Sequence, residues 1–535
     1  MTNERSPGER PHQGAAVNTV WGPYPGQPAP ALDGDVEADV LVVGAGIAGM
    51  TCAYLLAKEG RAVILLEAGT VGSGETGRTS AHLSNALDDR YYQLARLHGA
   101  KHVMAMADSH RAAINKIEAI CSQERIDCGF RRVPGYLFMH PEDPRPTLNL
   151  EAPAATAAGI NVERLAHVPG LSGHNGPCLL FPLQAQFHPL RYLAGLARAF
   201  RRAGGRLYED SRAEEIGGEG ARCRGYRVRA RHVVVATNTP VHERVALHTK
   251  QAAYRTYMIA ARLPVGSVAP ALYWDTGVPD GAYHYARIME EGGEGYLLVG
   301  GEDHKTGQGG TDPEARWRAL EAWARPRFPW MKEVTHRWSG QVLEPIDGAA
   351  YLGRTPGGPD NVYVVSGDSG NGLTHGTLGA MMIADLIRGW ASSWEDVYRP
   401  SRLNVHAAGT YLRENLNVLK QARDFFTPGD FPEVGDLLPG EGAVIREGLR
   451  KVAAFRPEEG AVQIFSAVCP HLGCVVRWNE AEKSFDCPCH GSRFDCHGQV
   501  LSGPANRGLT PLSERPVPAA PALPPAVIEG HQPTS

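Results

Sequence analysis

Residues 38–68 read ADVLVVGAGIAGMTCAYLLAKEGRAVILLEA, and this segment restricts the fold more tightly than any other. An apolar run at 40–43 leads into Gly44-x-Gly46-x-x-Gly49. A helical run then ends near Gly60, and a second apolar run at 62–66 stops at Glu67. Each part has a mechanical use. Gly44 permits the tight turn, Gly46 lets a pyrophosphate approach backbone N–H groups, and Gly49 lets the helix pack on the strand. The positive helix N-terminus faces the diphosphate. Glu67 follows Gly49 by 18 residues, where a carboxylate accepts from a ribose hydroxyl. The glycine triplet alone is weak evidence, because glycine-rich turns without nucleotide are common. Strand, turn, helix, strand and acid in register predict an α/β dinucleotide-binding core.

At 535 residues the chain is too long for one hydrophobic core and predicts three or four units. A net charge of −4 argues against nucleic acid or an anionic membrane as partner. No run of 18 apolar residues exists to span a bilayer. The first thirty residues are polar, rich in Pro and Gly, and lack an apolar signal segment, so a cytoplasmic protein with an unprocessed start is expected. Cys52, Cys121, Cys128, Cys178 and Cys223 are scattered and read as buried thiols. The other five, Cys469, Cys474, Cys487, Cys489 and Cys496, fall within 28 residues, which favours metal over a disulfide scaffold.

Composition shifts divide the chain into a disordered start (1–35), a large mixed α/β region (36–398), a helical connector and Pro/Gly-rich linker (399–439), a region of short strands (440–512) and a disordered Pro-rich tail (513–535).

Three further motifs follow the fingerprint: GTVGSGETGRTSAH, RHVVVATNTP at 231–240 and NVYVVSGDSGNGLTHGTLGAMMIADLI at 361–387. Their order resembles the glycine oxidase, sarcosine oxidase and D-amino-acid oxidase family of flavoenzymes. The resemblance implies a Rossmann-type FAD-binding domain with an inserted α+β substrate domain. It also implies FAD contacts at Gly44, Gly46, Gly49, Glu67, Arg78, Ala236, Gly367, Ser369, Gly370, Gly372 and Thr374. In that family the last motif aims a helix N-terminus at the flavin edge where negative charge gathers on reduction. Only one dinucleotide fingerprint is present, so an organic substrate rather than NAD(P)H is expected to reduce the flavin. GETGRTSAH does not place His82 on a covalent-attachment position, and noncovalent FAD is expected.

Cys469-Pro-His471-Leu-Gly-Cys474 and Cys487-Pro-Cys489-His490-Gly-Ser492 are separated by 12 residues. Four such Cys and His ligands also suit zinc. The interleaved pattern resembles the Rieske domain, a small all-β fold, over about 440–512. The resemblance implies that Cys469 and Cys487 bind one iron of a [2Fe–2S] cluster and His471 and His490 the other. It also implies a Cys474–Cys489 disulfide. Imidazole ligation places the potential in a range of about −150 to +300 mV. Ser492 is a candidate donor to a cluster sulfur. Phe494 stands where high-potential relatives carry a donating tyrosine, so a potential below theirs is expected. Cys496 and His497 match no ligand position.

Family substrates are amines or amino acids oxidised at the C–H beside nitrogen, so no nucleophile is expected. Tyr254, Tyr257, Tyr283, His284 and Tyr285 on expected strands are candidates for substrate contact. Arg354 is a candidate carboxylate clamp, with structural pairing to an acid the competing reading. The leading reading is a dehydrogenase passing electrons from a small amine or amino acid through FAD and the cluster to a one-electron acceptor. The alternatives are an oxidase returning electrons to O₂ and an electron-transfer adaptor without metabolite turnover.

Overall fold

The computed structural model describes residues 18–515, except 174–175, 243–244, 279–282, 310–311, 313, 426 and 431–432; the first 17 and last 20 residues, assigned to the start and the tail, lie outside the described residues. Val36–Val43 runs between Val63–Leu66 and Tyr226–Val235 in parallel register, with Arg206–Tyr208 and Val362–Ser366 continuing the parallel order outward. Val40, Leu41 and Val42 are wholly buried, which explains an unbroken apolar run rather than an alternating one. Helices Ile47–Lys58 and Gly372–Arg388 pack against each other beside this sheet. Their close approach depends on Gly376, where an added Cβ would stand 3.0 Å from Ile47 Cγ2 and 3.2 Å from Ala48 Cβ.

A second, largely antiparallel sheet of nine strands forms the inserted substrate region, with Val334–Pro345, Gln251–Leu263, Glu294–Lys305 and His284–Glu291 as neighbours. Two four-stranded antiparallel sheets follow near the C-terminus. The connector between them and the α/β region is helical over Ala408–Gln421. No helix among the described residues is long and apolar enough to cross a membrane.

The ends differ from expectation. Residues 18–35 were expected to belong to a disordered start, but they are packed on the body. Trp21 is buried and donates from Nε1 to Thr79 O (2.9 Å), Leu32 is buried, and the Arg287 guanidinium lies over the Trp21 ring. The last strand, Pro511–Arg515, passes the expected boundary at 512 because it pairs with Val462–Ser466 and closes that sheet's edge.

Candidate cofactor sites

A cavity of about 1930 Å³ lies between the two large sheets. Gly44 and Gly49 stand at the tight turn and at the helix–strand contact. Gly44 has φ +100°, and an added Cβ would stand 2.5 Å from Ala236 O. At Gly49 it would stand 1.8 Å from Gly44 O, so only glycine lets the helix seat on the turn. Gly46 lines the cavity and precedes the helix N-terminus, and its Cβ would meet Thr76 Oγ1 at 3.1 Å. Glu67 also lines the cavity, its carboxylate accepting from Ala45 N (2.7 Å) and Gly69 N (2.9 Å).

Of the other expected cofactor residues, Arg78, Ala236, Gly370 and Gly372 line the cavity. Gly49, Gly367, Ser369 and Thr374 stand behind its wall. Gly367 (φ +71°) turns the chain, and Thr374 Oγ1 donates to Asn371 O (3.0 Å) at the helix start. Ser369 Oγ lies 2.5 Å from Asp89 Oδ2 and 2.8 Å from Glu344 Oε2. Burial, with Asp89 beside it, raises Glu344 well above the usual carboxylate range.

The second sheet and the residue flanking its His284 strand supply Trp274, Tyr283, Tyr285 and Asp303 to the cavity, and the loop before the helix Tyr91–His98 supplies Asp88. Tyr283 donates to Asp88 Oδ1 (3.1 Å), and Tyr285 Oη lies 3.0 Å from Thr256 Oγ1. Asp303 is exposed to the open cavity; the protein walls packed around it lift its carboxyl to about 7, against a lowering hydrogen bond from Thr256. Burial lifts Asp88 and Asp368 to about 6. Tyr257, Tyr254, His284 and Arg354 are not part of the wall. Tyr257 is buried against His304 (2.9 Å), and His284 sits between Asp275 (2.9 Å) and Glu302 (3.1 Å). Arg354 faces Glu395 at 3.6 Å on the exterior.

In the C-terminal region the two Cys/His loops come together. Cys469 and Cys487 are buried. The neighbouring Cys487 thiol holds Cys469 down at about 7, assisted by backbone N–H groups and Ser492. The His471 and His490 rings lie 5.0 Å apart. His490 Nδ1 is buried with no hydrogen-bond partner, as an atom reserved for a metal would be. Burial, then the charges of His471 and His248, hold His490 at about 3, so it is a neutral imidazole. Cys474 and Cys489 form a disulfide across the loops, so they are not available as thiolate ligands. Two thiols and two imidazoles fit a mixed Cys₂His₂ cluster. Phe494 is wholly buried, and Cys496 is a half-buried thiol raised by burial to about 11.

Two residues of the wall also carry buried polar atoms without a hydrogen-bond partner. Arg78 Nη1 and both amide atoms of Gln341 are buried without hydrogen-bond partners, and both residues line the wall. The glycine cradle at a helix N-terminus and Glu67 beside it fit a dinucleotide. The C-terminal region closes part of this cavity through Arg493, Val500, Asn506 and Arg507, and Arg212 Nη2 donates to Val500 O (3.1 Å).

Spacing gave no hint of how the two regions meet. Glu482 accepts from Arg255 Nη2 (2.6 Å) and Arg493 Nη2 (2.8 Å), with Arg78 Nη1 at 3.8 Å. Burial pushes this carboxyl up, but the three guanidiniums outweigh burial and hold it at about 2. His248, from the α/β region, has its ring centroid 4.8 Å from that of His471 and 6.1 Å from that of His490.

Residues 39–386 match the family described as FAD dependent oxidoreductase, and residues 430–516 match the Rieske [2Fe-2S] domain. The Bacillus subtilis protein YhfW, described as a Rieske 2Fe-2S iron-sulfur protein, is 30% identical over 92% of this chain and 97% of its own. Gamma-glutamylputrescine oxidoreductase of Escherichia coli is 26% identical over 69% of this chain and 88% of its own. The crystal structure of glycine oxidase from Geobacillus kaustophilus superposes with a TM-score of 0.56 at 20% identity, over 69% of this chain and 99% of that one, a likeness of fold.

Proposed function

The chain belongs to the FAD-dependent oxidoreductase family and ends in a Rieske [2Fe–2S] domain, and from that premise we propose that it oxidises a small amine or amino acid and passes the electrons through the cluster to an external one-electron acceptor. When bound, FAD supplies hydride acceptance from the C–H beside nitrogen and the cluster supplies one-electron exchange. Gly44, Gly46, Glu67 and Arg78 would hold the dinucleotide. The start of Gly372–Arg388, which lines the cavity, would offer backbone N–H groups to an anionic edge of the cofactor. Cys469, His471, Cys487 and His490 hold the cluster.

The substrate half of the cavity is the part walled by Trp274, Tyr283, Tyr285, Asp88 and Asp303. Amine oxidation needs the neutral amine, because an ammonium nitrogen has no lone pair to assist hydride departure. Asp303, raised to about 7, exchanges a proton near neutral pH and takes the ammonium proton.

The observation that carries the electron route is the docking of the cluster loops. His471 and His490, whose edge normally faces an acceptor, are only 9% exposed and lie against His248. A cluster turned toward the flavin domain supports exchange within the chain. Anaerobic titration with a panel of amines and amino acids tests this reading. Flavin bleaching followed by a reduced Rieske EPR signal supports it. Bleaching with rapid peroxide release in air and an unchanged cluster contradicts the route, and no bleaching by any member contradicts the activity.

A further inference from the structure

The Rieske domain contributes one wall of the dinucleotide cavity, near the fingerprint's ribose acceptor Glu67. Its strand Val500–Ser502 pairs with Arg493–Asp495, and the turn after it lies against the α/β region. Val500 O accepts from Arg212 Nη2 (3.1 Å). Burial lowers the Arg212 guanidinium from its usual value, and the nearby carboxylates of Glu67 and Glu214 oppose that shift. Arg212 thus links Glu67 to the Rieske strand. A Cβ added at Gly503 would stand 3.0 Å from Val241 Cγ1 and 3.7 Å from Thr239 Cβ. The turn therefore also rests on the loop that follows Ala236 and Thr237 of the cavity wall.

This turn brings two polar side chains to the cavity. Asn506 and Arg507 both line it and are exposed. Their neighbours are fixed in the Rieske core. Ala505 is buried and its N–H donates to Ser492 Oγ (3.0 Å); Leu509 is buried and its N–H donates to Gly498 O (2.8 Å). Anchored at 505 and 509, the turn holds residues 506 and 507 at the wall. Among the described residues neither side chain has an ion-pair or hydrogen-bond partner, so an amide and a guanidinium are left for a ligand. A guanidinium suits a diphosphate, which it grips through two parallel N–H donors.

We propose that the adenosine diphosphate half of FAD is bound by both domains, with Asn506 and Arg507 as binding residues supplied by the Rieske domain. A ligand that touches both walls couples them. FAD then strengthens docking of the Rieske domain, and docking raises FAD affinity by the same factor. The inference needs the two cofactors but neither the substrate class nor the electron route proposed above.

The double variant Asn506→Ala/Arg507→Ala changes only exposed side chains. In the full-length holoprotein its FAD dissociation constant is expected to rise about tenfold, read from the fluorescence of flavin released on dilution, with iron content and the Rieske EPR signal unchanged. The wild-type constant should also rise more steeply with salt than the variant's, because the variant lacks a cation that faces the diphosphate. A structural role in the turn would not move that slope. Arg507→Lys keeps the charge but loses the fork, and should restore the slope without the full affinity. The coupling is read from cleavage in the linker at 427–440, which should be at least about fivefold slower with FAD bound than after its removal. FAD affinity at the wild-type level in the double variant overturns the assignment. Weaker binding with an unchanged salt slope overturns the role of Arg507, and equal linker cleavage with and without FAD overturns the coupling.

Discussion

Glu482→Gln removes a charge from the domain seam while keeping the shape of the side chain. The carboxylate is held at about 2 against an ordinary value of 4.5, although burial alone would raise it. A displacement of that size corresponds to about 3 kcal/mol of favourable interaction. This agrees with the roughly 3–5 kcal/mol lost when one partner is removed from a buried ion pair. The reason is visible in the partners: the Arg255 side chain is 0% exposed and finds no water when the charge is removed, whereas Arg493 keeps Asp486 Oδ1 at 2.9 Å. Arg493 belongs to the same domain as Glu482, and only Arg255 and Arg78 lie across the seam, so docking of the Rieske domain should weaken by about one to two orders of magnitude. Limited proteolysis in the linker at 427–440 reads the undocked population, because cleavage tracks the open state when reclosing is fast. Cleavage should accelerate at least about tenfold with far-UV circular dichroism unchanged. The wild-type protein should show an acid limit as well. A carboxylate with a depressed folded value contributes fully above about 4.5 and loses its contribution as pH falls toward about 2. Digestion by an acid protease should therefore speed up across that window in the wild type, and the variant should lack this component. Cleavage within about threefold of wild type at neutral pH would refute the reasoning.

Gly46→Val should release FAD while preserving the Rieske EPR signal, because the added Cβ already meets Thr76 Oγ1 at 3.1 Å and the branches enter the cofactor's space; a yellow protein after gel filtration contradicts this. Asp303→Asn should remove the inflection near pH 7 from the rate of anaerobic flavin bleaching by the best amine of the panel. In the wild type that rate should rise with pH as the carboxyl, lifted to about 7 by the protein walls around it, loses its proton. An unchanged profile assigns the inflection to another group.

The glycine turns and the cluster loops were legible in the sequence because their chemistry fixes both residue type and spacing. Gly44, Gly46 and Gly49 cannot carry a side chain without meeting backbone or wall, and Cys469, His471, Cys487 and His490 have no role at other separations. The substrate wall was only half legible. Tyr283 and Tyr285 face the cavity, but Tyr257 turns to His304 and Arg354 to Glu395, since the face a strand residue presents depends on the sheet's twist and partners. The seam left no signal at all. Glu482 lies in the hairpin turn WNEAEKS, which reads as a solvated charge run, and its partners Arg78 and Arg255 are more than 200 residues away. His248 sits in a segment without a motif. Its meaning comes from tertiary docking, which periodicity and spacing do not encode. Trp21 shows the same limit, since a Pro/Gly-rich flank resembles disorder until a buried aromatic and its hydrogen bond to Thr79 hold it.

The central claim, that electrons leave the flavin through the cluster, is tested most directly by comparing two rates in Cys487→Ser, which removes one iron ligand. The first is flavin bleaching by the amine substrate under anaerobic stopped flow, and the second is steady-state turnover with an artificial one-electron acceptor. The account predicts bleaching within about twofold of wild type and turnover slowed at least about tenfold. Equal losses in both rates would make the cluster structural, and no loss in either would mean that acceptors take electrons from the flavin directly; both results contradict the account.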